Sequence, residues 1–125
     1  MCVWSQSLNH EKKVKIMQQR FYSNLHKVQV FFGPSARICC YQVSESFYKD
    51  FVIKHSDSSG AFVKKNDGWY FDNSWFLQET MKKFGIKNEN IYTNNAFCTI
   101  CNVEFCSFRR QKEHANRQVT LVALR

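Results

Sequence analysis

Apolar residues recur at helical spacing near the start of the chain. Val14, Met17, Phe21 and Leu25 follow one another at intervals of three and four, and Lys and Gln fill the positions between them. This spacing is typical of a helix that buries one face. We therefore expect a helix over residues 9–25, with Asn9 as its N-terminal cap.

The pattern then changes to the alternation of a strand. Val28, Val30 and Phe32 lie at every second position, which predicts a strand over residues 27–32. Gly33-Pro34 ends this strand sharply, because neither residue continues regular structure.

Two more helices and a hairpin are predicted in the middle of the chain. Ser44 or Glu45 begins the second helix, and Asp72 or Asn73 caps a third helix that Gly85 closes. Between these helices, segments 61–63 and 69–71 are predicted to pair as short strands. The Asn-Asp-Gly triplet at 66–68 supplies the turn of this hairpin.

The remaining strand candidates are segments 90–98, 103–108 and 118–124. Helices and strands alternate through most of the chain, so the expected fold class is α/β, with a mixed sheet packed with helices. No repeat, linker or low-complexity tract divides the sequence. We therefore expect residues 1–125 to form one region.

Composition narrows the function classes. The chain has 125 residues, six Cys and a formal net charge of +8. Neither a signal peptide nor an apolar run long enough to cross a membrane is visible, which predicts a cytoplasmic chain with reduced thiols. The positive charge fits either a nucleic-acid or phosphate surface or the solvated faces of helices, and no compact basic run decides between them.

The cysteines allow several interpretations. Cys98 and Cys101 form a CxxC pair that can bind one zinc ion, and Cys106 with His114 could complete four ligands, although their spacing matches no common finger. The interleaved apolar residues favour small core side chains instead. Cys39-Cys40 could include a nucleophile, but the sequence places no base beside it, and a structural role is the simpler interpretation.

Several charged residues are candidates for phosphate binding or catalysis. Arg109, Arg110 and Arg117 carry forked donors suited to phosphate, although a surface role explains them equally well. If segment 103–108 continued as a strand, Arg109 and Arg110 would point to opposite faces. Asp72 could be a catalytic carboxylate, but helix capping accounts for it too. No P-loop, GxGxxG, HExxH or GxSxG motif is present.

Four short strings occur in a fixed order along the chain. They are GPSARICCYQV at 33–43, WYFD at 69–72 with Gly85-Ile86 downstream, CT at 98–99, and FCSFRR at 105–110 followed by Arg117. In these strings the chain resembles the C-terminal half of the bacterial YfiH-like proteins. This laccase-domain or multicopper polyphenol oxidase family is also described as purine nucleoside phosphorylases and as peptidoglycan-editing factors.

The resemblance extends over about residues 28–124, with departures from the family pattern. Gln42 stands where the family has Glu, Leu77 where it has Asn, and Asn116 where it has Gly. The His, Cys and His that hold zinc or copper in the family lie in its first half. Their strings, of the type Ala-Asp-Cys and His-Ala-Gly-Trp-Arg-Gly, do not occur here.

The resemblance implies phosphorolysis of adenosine, inosine or methylthioadenosine, together with adenosine deamination, which are transferase and hydrolase activities. It implies substrate binding by Arg109, Arg110 and Ser35. We predict no catalytic residue and no metal ligand in this chain, so a truncated or split product would be inactive alone. A second chain could supply the missing half. The alternative is a basic module that binds nucleic acid or an acidic partner, or a remnant without activity; nucleic acid is the less favoured partner.

Overall fold

The computed structural model describes residues 6–117 of the chain. Its elements, in chain order, are α1 (Gln6–Phe21), β1 (Val30–Phe31), β2 (Gln42–Val43), α2 (Glu45–Lys54), β3 (Phe62–Lys65), β4 (Gly68–Phe71), α3 (Asn73–Lys83), β5 (Ile91–Tyr92) and α4 (Phe108–Gln111). Helices, one parallel pair of strands and one antiparallel sheet confirm the predicted α/β class. The described residues form two compact units, the first made of segments 6–31 and 77–92, the second of 32–76 and 93–117.

The first unit is built around α1 and the later part of α3. Val14, Met81 and Ile86 are buried together, and half-buried apolar side chains surround them. Beside this core, β1 pairs with β5 in parallel, with Val30 opposite Ile91. The apolar spacing of α1 thus supplies a core residue, as an amphipathic helix should.

The boundaries of α1 differ from the prediction of residues 9–25. The helix begins at Gln6, so Asn9 lies inside it and is not its cap. It ends at Phe21, because Tyr22 adopts a left-handed conformation with φ of 50° that an α-helix cannot continue. Phe21 is largely exposed, and Leu25 reaches the core from a short 3₁₀ helix, Leu25–Lys27. The predicted strand over 27–32 accordingly shortens to β1.

The end of α3 follows its sequence signal. Gly85 has a φ of +88°, and its N–H donates to the carbonyl of Lys82 at 2.9 Å. The next N–H, that of Ile86, donates to the carbonyl of Met81 at 3.2 Å. These two bonds form a Schellman motif, which satisfies carbonyls left open at a helix end. The expected closing role of Gly85 is confirmed.

The second unit contains an antiparallel sheet of order β2-β4-β3. β3 and β4 form a hairpin in which Phe62 faces Phe71 and Lys65 faces Gly68, so Asn66-Asp67 is the connecting turn. Gly68 has a φ of +141°, a value that suits glycine at this turn. The hairpin predicted from the Asn-Asp-Gly triplet is confirmed.

Aromatic side chains fill the core of this unit. Phe71, on β4, is fully buried, and the ring centroids of Phe62 and Phe51 lie 4.7 and 5.1 Å from its own. Phe76, from α3, lies 4.9 Å from Phe51 in an edge-to-face arrangement. Such tilted pairs add stability beyond the area they bury.

Both helices of this unit begin as the sequence indicates. Ser44 caps α2, since its Oγ accepts from the N–H of Phe47 at 3.1 Å. Asp72 precedes α3, and its Oδ1 accepts from the N–H of Trp75 at 3.0 Å. These are side-chain caps of the usual kind for helix N-termini.

The strands predicted after α3 are mostly wrong. Segment 90–98 contains only β5, and segment 103–108 is a series of turns that leads into α4. Asn102 favours this turn, because its side-chain oxygen accepts from the N–H of Glu104 at 3.0 Å. Arg109 and Arg110 therefore lie on a helix, so their assignment to opposite faces of a strand is also wrong. Segment 118–124 lies outside the described residues.

Among the helices of the described part, none has the length and apolar character needed to cross a membrane.

Candidate metal and anion site

Two distant segments of the second unit meet at a single parallel bridge. The N–H of Ser35 donates to the carbonyl of Phe97, and the N–H of Thr99 donates to the carbonyl of Ser35, both at 3.0 Å. The turn that follows Gly33-Pro34 thereby lies beside the CxxC segment that begins at Cys98. This contact brings the two cysteine pairs of the sequence together.

Four cysteine sulfurs form one group at this place. The Sγ atoms of Cys39, Cys40, Cys98 and Cys101 all lie within 4.8 Å of one another. The sulfurs of Cys39 and Cys101 are 3.9 Å apart, far longer than the ~2.05 Å of a disulfide bond. All five described cysteines are free thiols. Cys106 and His114, the possible zinc partners of the CxxC pair suggested by the sequence, do not belong to this group.

The thiols of the group differ in their acidity. Burial alone would raise the pKa of Cys98, but backbone N–H groups of Cys101, Ile100 and Arg37 bond to its sulfur and lower that pKa to about 6. Burial, and then the side chain of Cys98, raise the pKa of Cys39. Burial also raises the pKa of Cys40. At neutral pH the group therefore holds a thiolate at Cys98, while the raised pKa values of Cys39 and Cys40 keep those two thiols protonated.

The Cys98–Cys101 turn is held in shape by Arg110. Its Nη1 donates to the carbonyls of Thr99, Ile100 and Asn102 at 2.8, 2.9 and 3.2 Å. Its Nη2 donates to the carbonyl of Phe105. A guanidinium is suited to this, because its donors are fixed in a planar fork. The side chain of Arg110 is thus directed at backbone carbonyls.

Arg109 is placed differently. Arg109 is exposed, and its guanidinium carbon lies 4.9 Å from the centroid of the Tyr41 ring, which is a cation–π geometry. This contact orients the guanidinium at the end of the Gly33–Tyr41 segment. Among the residues predicted to bind substrate, Arg109 is the one that presents a charged fork at the surface.

Ser35, the third predicted substrate residue, is half-buried in the same region. Its Oγ is 3.0 Å from the Oγ of Ser74, which is buried. Thr99 connects it to Arg110, because the carbonyl of Thr99 accepts from Arg110 while its N–H donates to Ser35. Ser35, Arg109 and Arg110 therefore belong to one connected region, and their role in substrate binding stays a prediction.

Arg37 is a residue that the sequence analysis missed. Its Nε and Nη2 donate to the two carboxylate oxygens of Asp72 at 3.2 and 3.3 Å, and its Nη1 donates to the carbonyl of Ala96. The pair links the segment before the cysteines to the start of α3. Since Arg37 and Asp72 are far apart in the sequence, only the fold reveals the pairing.

Comparison with known proteins shows the family of the chain and several relatives. A family model described as "Multi-copper polyphenol oxidoreductase laccase" matches residues 8–125. The chain is 37% identical over 103 residues to a purine nucleoside phosphorylase of Borreliella burgdorferi, an alignment that covers 81% of the chain and 43% of that protein. It is 31% identical over 91 residues to a purine nucleoside phosphorylase of Aquifex aeolicus, covering 73% of the chain and 39% of that protein.

A third relative shows the same extent of overlap. The chain is 27% identical over 118 residues to a purine nucleoside phosphorylase of Clostridium acetobutylicum, which covers 90% of the chain and 46% of the relative. The chain thus spans less than half the length of the curated relatives that it matches.

Proposed function

Because the chain belongs to the multi-copper polyphenol oxidoreductase laccase family, we propose that it supplies part of a purine nucleoside phosphorylase site. In this reaction a phosphate oxygen forms a bond to the anomeric carbon of the nucleoside while the carbon–nitrogen bond to the purine breaks. The purine nitrogen takes up a proton as the base leaves. The observation that carries the proposal is the 37% identity over 103 residues to a relative named for this activity.

The phosphate contact in this proposal is Arg109. Charge on the attacking phosphate needs fixed donors, and a guanidinium fork can bind two phosphate oxygens at once. Arg109 is exposed and oriented by the Tyr41 ring, whereas the donors of Arg110 are directed at carbonyls. In this proposal Arg110 and Ser35 hold the shape of the loop that begins at Cys98, and Arg109 binds the phosphate.

The rest of the site belongs, in this proposal, to sequence beyond the 125 residues. The relatives are more than twice as long as the part that this chain matches, since the alignments cover 39–46% of them. The family resemblance places metal-holding His, Cys and His in that other part. We therefore expect the isolated chain to be inactive, and its activity to depend on a complementing segment.

The family description names copper, and the described residues offer one donor set for a soft ion. Thiolates suit Cu(I) and Zn(II). Four protein sulfurs fill a tetrahedral shell, and such closed sites are structural. An ion held by Cys39, Cys40, Cys98 and Cys101 would therefore stabilise the fold, and the phosphorolysis proposed here does not pass through it.

The test compares the chain alone with a complemented form. The chain is incubated with inosine or adenosine and inorganic phosphate, first by itself and then after co-expression with the unmatched first part of the Borreliella relative. Release of free base that requires phosphate, in the complemented sample only, is the expected result. Turnover by the isolated chain would contradict the assignment of essential groups to other sequence. Absence of turnover in both samples would oppose the proposed activity.

Substitution of Arg109 tests the phosphate contact in the complemented enzyme. We expect Arg109→Ala to raise KM for phosphate at least roughly 10-fold, because a lost charge-assisted contact is worth about 1.5–3 kcal/mol. Arg20→Ala is the matched control, since Arg20 is also an exposed arginine and lies on α1. An unchanged KM for phosphate in Arg109→Ala would remove Arg109 from the site.

The same samples test the alternative of a basic binding module. If the chain bound nucleic acid through its +8 charge, its retention on an oligonucleotide column would fall steeply as salt rises. Strong salt-dependent retention without complemented turnover would favour that function over phosphorolysis.

A further inference from the structure

We propose that Cys39, Cys40, Cys98 and Cys101 bind one Zn²⁺ ion in a closed tetrahedral site carried by this chain alone. The inference does not depend on the proposed phosphorolysis, because all four ligands lie within the described residues. It also goes against the expectation, drawn from the sequence, that metal ligands are confined to other parts of the family's fold.

The distances fit a mononuclear site. Zinc–sulfur bonds of about 2.3 Å in a tetrahedron place the sulfurs about 3.8 Å apart. In the structure the four Sγ atoms lie within 4.8 Å of one another, and the Cys39–Cys101 separation is 3.9 Å. Small side-chain rotations would therefore complete the shell. A polynuclear iron–sulfur cluster would need sulfurs that stand farther apart.

Backbone N–H groups from both segments are directed at the sulfur of Cys98. The N–H groups of Ile100 and Cys101, two and three residues after Cys98, bond to its Sγ, and the N–H of Arg37 adds a third bond from the other segment. Hydrogen bonds of this kind orient a metal ligand and stabilise its charge. They explain why a CxxC turn with this shape suits a thiolate ligand.

The surroundings also fix the ligands in position. Arg110 holds the carbonyls of Thr99, Ile100 and Asn102, so the shape of the CxxC turn is set by a side chain outside it. On the other segment, the Nζ of Lys65 donates to the carbonyl of Cys39 at 3.3 Å. Both segments that carry the ligands are thus held through their backbone carbonyls by side chains from other parts of the unit.

Proton release accompanies binding. Each sulfur that forms a bond to zinc does so as a thiolate, so every thiol that is protonated in the metal-free chain gives its proton to water. No oxidant or reductant is involved, since Zn²⁺ does not change its oxidation state. The ion would join the 33–41 segment to the 97–102 segment, where the Ser35–Cys98 bridge is the local strand pairing.

Stoichiometry is the first measurement. The chain is expressed with zinc in the medium, purified with a non-chelating reductant, and analysed for metals by inductively coupled plasma mass spectrometry. We expect one zinc per chain. Replacement by Co²⁺ should give the visible absorption of a tetrahedral ion and the near-ultraviolet charge-transfer band of thiolate ligands. A metal content near zero after reconstitution with ZnCl₂ would overturn the proposal.

Cysteine variants identify the ligands. Cys39→Ser and Cys101→Ser should lose most of the bound zinc, because serine is a poor ligand for this ion. Cys106→Ser is the matched control, since Cys106 is a free thiol of the same unit outside the group. We expect it to keep one zinc. Equal zinc content in all three variants would exclude the four-cysteine site.

Alkylation of the wild-type chain keeps the proposal testable even if a variant fails to fold. In the zinc-loaded chain, peptide mass spectrometry should find Cys39, Cys40, Cys98 and Cys101 protected from iodoacetamide until a chelator is added. Labelling of Cys106 should not change with the chelator. Labelling of the four cysteines that is indifferent to the chelator, or a disulfide between any two of them in the zinc-loaded sample, would contradict the site.

Discussion

Asp72 has two structural roles, as the cap of a helix and as the partner of an arginine. Asp72 caps α3 through the N–H of Trp75 and accepts both donors of Arg37. Asp72 is nearly buried, with 9% of its side chain exposed, and Arg37 is more open at 26%. A pair of this kind is costly to break by removing one partner, because the remaining charge loses its compensation.

Substitutions of Asp72 separate its two roles. We expect Asp72→Ala to lower the free energy of unfolding by roughly 3 kcal/mol, since both the cap and the ion pair are lost. Asp72→Asn keeps an oxygen for the cap and should cost roughly half as much. Asp50→Ala, at an exposed position on α2, is the control and should stay within about 0.5 kcal/mol of the wild type. Urea unfolding measures all three, and equal losses for Ala and Asn would refute the dual role.

Among the elements, those with a local chemical signal could be predicted from the sequence. The Ser44 cap, the Asn66-Asp67 turn and the Gly85 helix end each depend on neighbours within a few residues. The strand predicted at 90–98 is shortened to β5, and the one predicted at 103–108 is wrong, for the opposite reason. Apolar residues there resemble a strand pattern, but side-chain bonds such as that of Asn102 favour turns.

Close packing between elements is visible at Gly60. This residue belongs to the 3₁₀ helix Ser59–Ala61, and a Cβ built on it would lie 2.6 Å from Cη2 of the Trp75 ring on α3. Only a residue without a side chain leaves the ring in its place. The glycine is therefore required by the approach of another element, since its φ is not left-handed.

We expect Gly60→Ala to lower the free energy of unfolding by about 1–3 kcal/mol, because the indole must move out of its position. The tryptophan emission of the folded variant should shift as well. Gly85→Ala is a useful comparison, because its added Cβ meets nothing within 4 Å and only its φ of +88° is unfavourable. It should destabilise without changing the emission. If Gly60→Ala costs as much in a Trp75→Leu background as in the wild type, the clash is not the cause.

At the scale of the whole chain, the two compact units divide the chemistry unevenly. The four cysteines, Arg109, Arg110 and the Arg37–Asp72 pair all belong to the second unit, while the first contributes an aliphatic core around Val14, Met81 and Ile86. The four cysteines could not be predicted as a set, because they come from two distant segments that meet at the Ser35–Cys98 bridge. The sequence identified both cysteine pairs separately and could not join them.

This division predicts where metal removal acts. Hydrogen exchange followed by mass spectrometry, on the zinc-loaded chain and after chelation, should show faster exchange in segments 33–41 and 96–111. Peptides from α1 should change much less, because no ligand lies in that unit. A uniform increase along the described part of the chain would mean that zinc supports both units equally. The absence of any increase would contradict a stabilising role for the ion.

Arg110 bears on how the charge of this protein should be engineered. It counts toward the formal +8, yet its donors are turned inward onto four carbonyls. Neutralising Arg110 to lower the isoelectric point would change the surface charge little. It would also remove the hydrogen bonds that hold the loop over residues 99–105. Arg20, an exposed arginine on α1 outside the proposed phosphate contact, is a position where charge can be changed without that penalty.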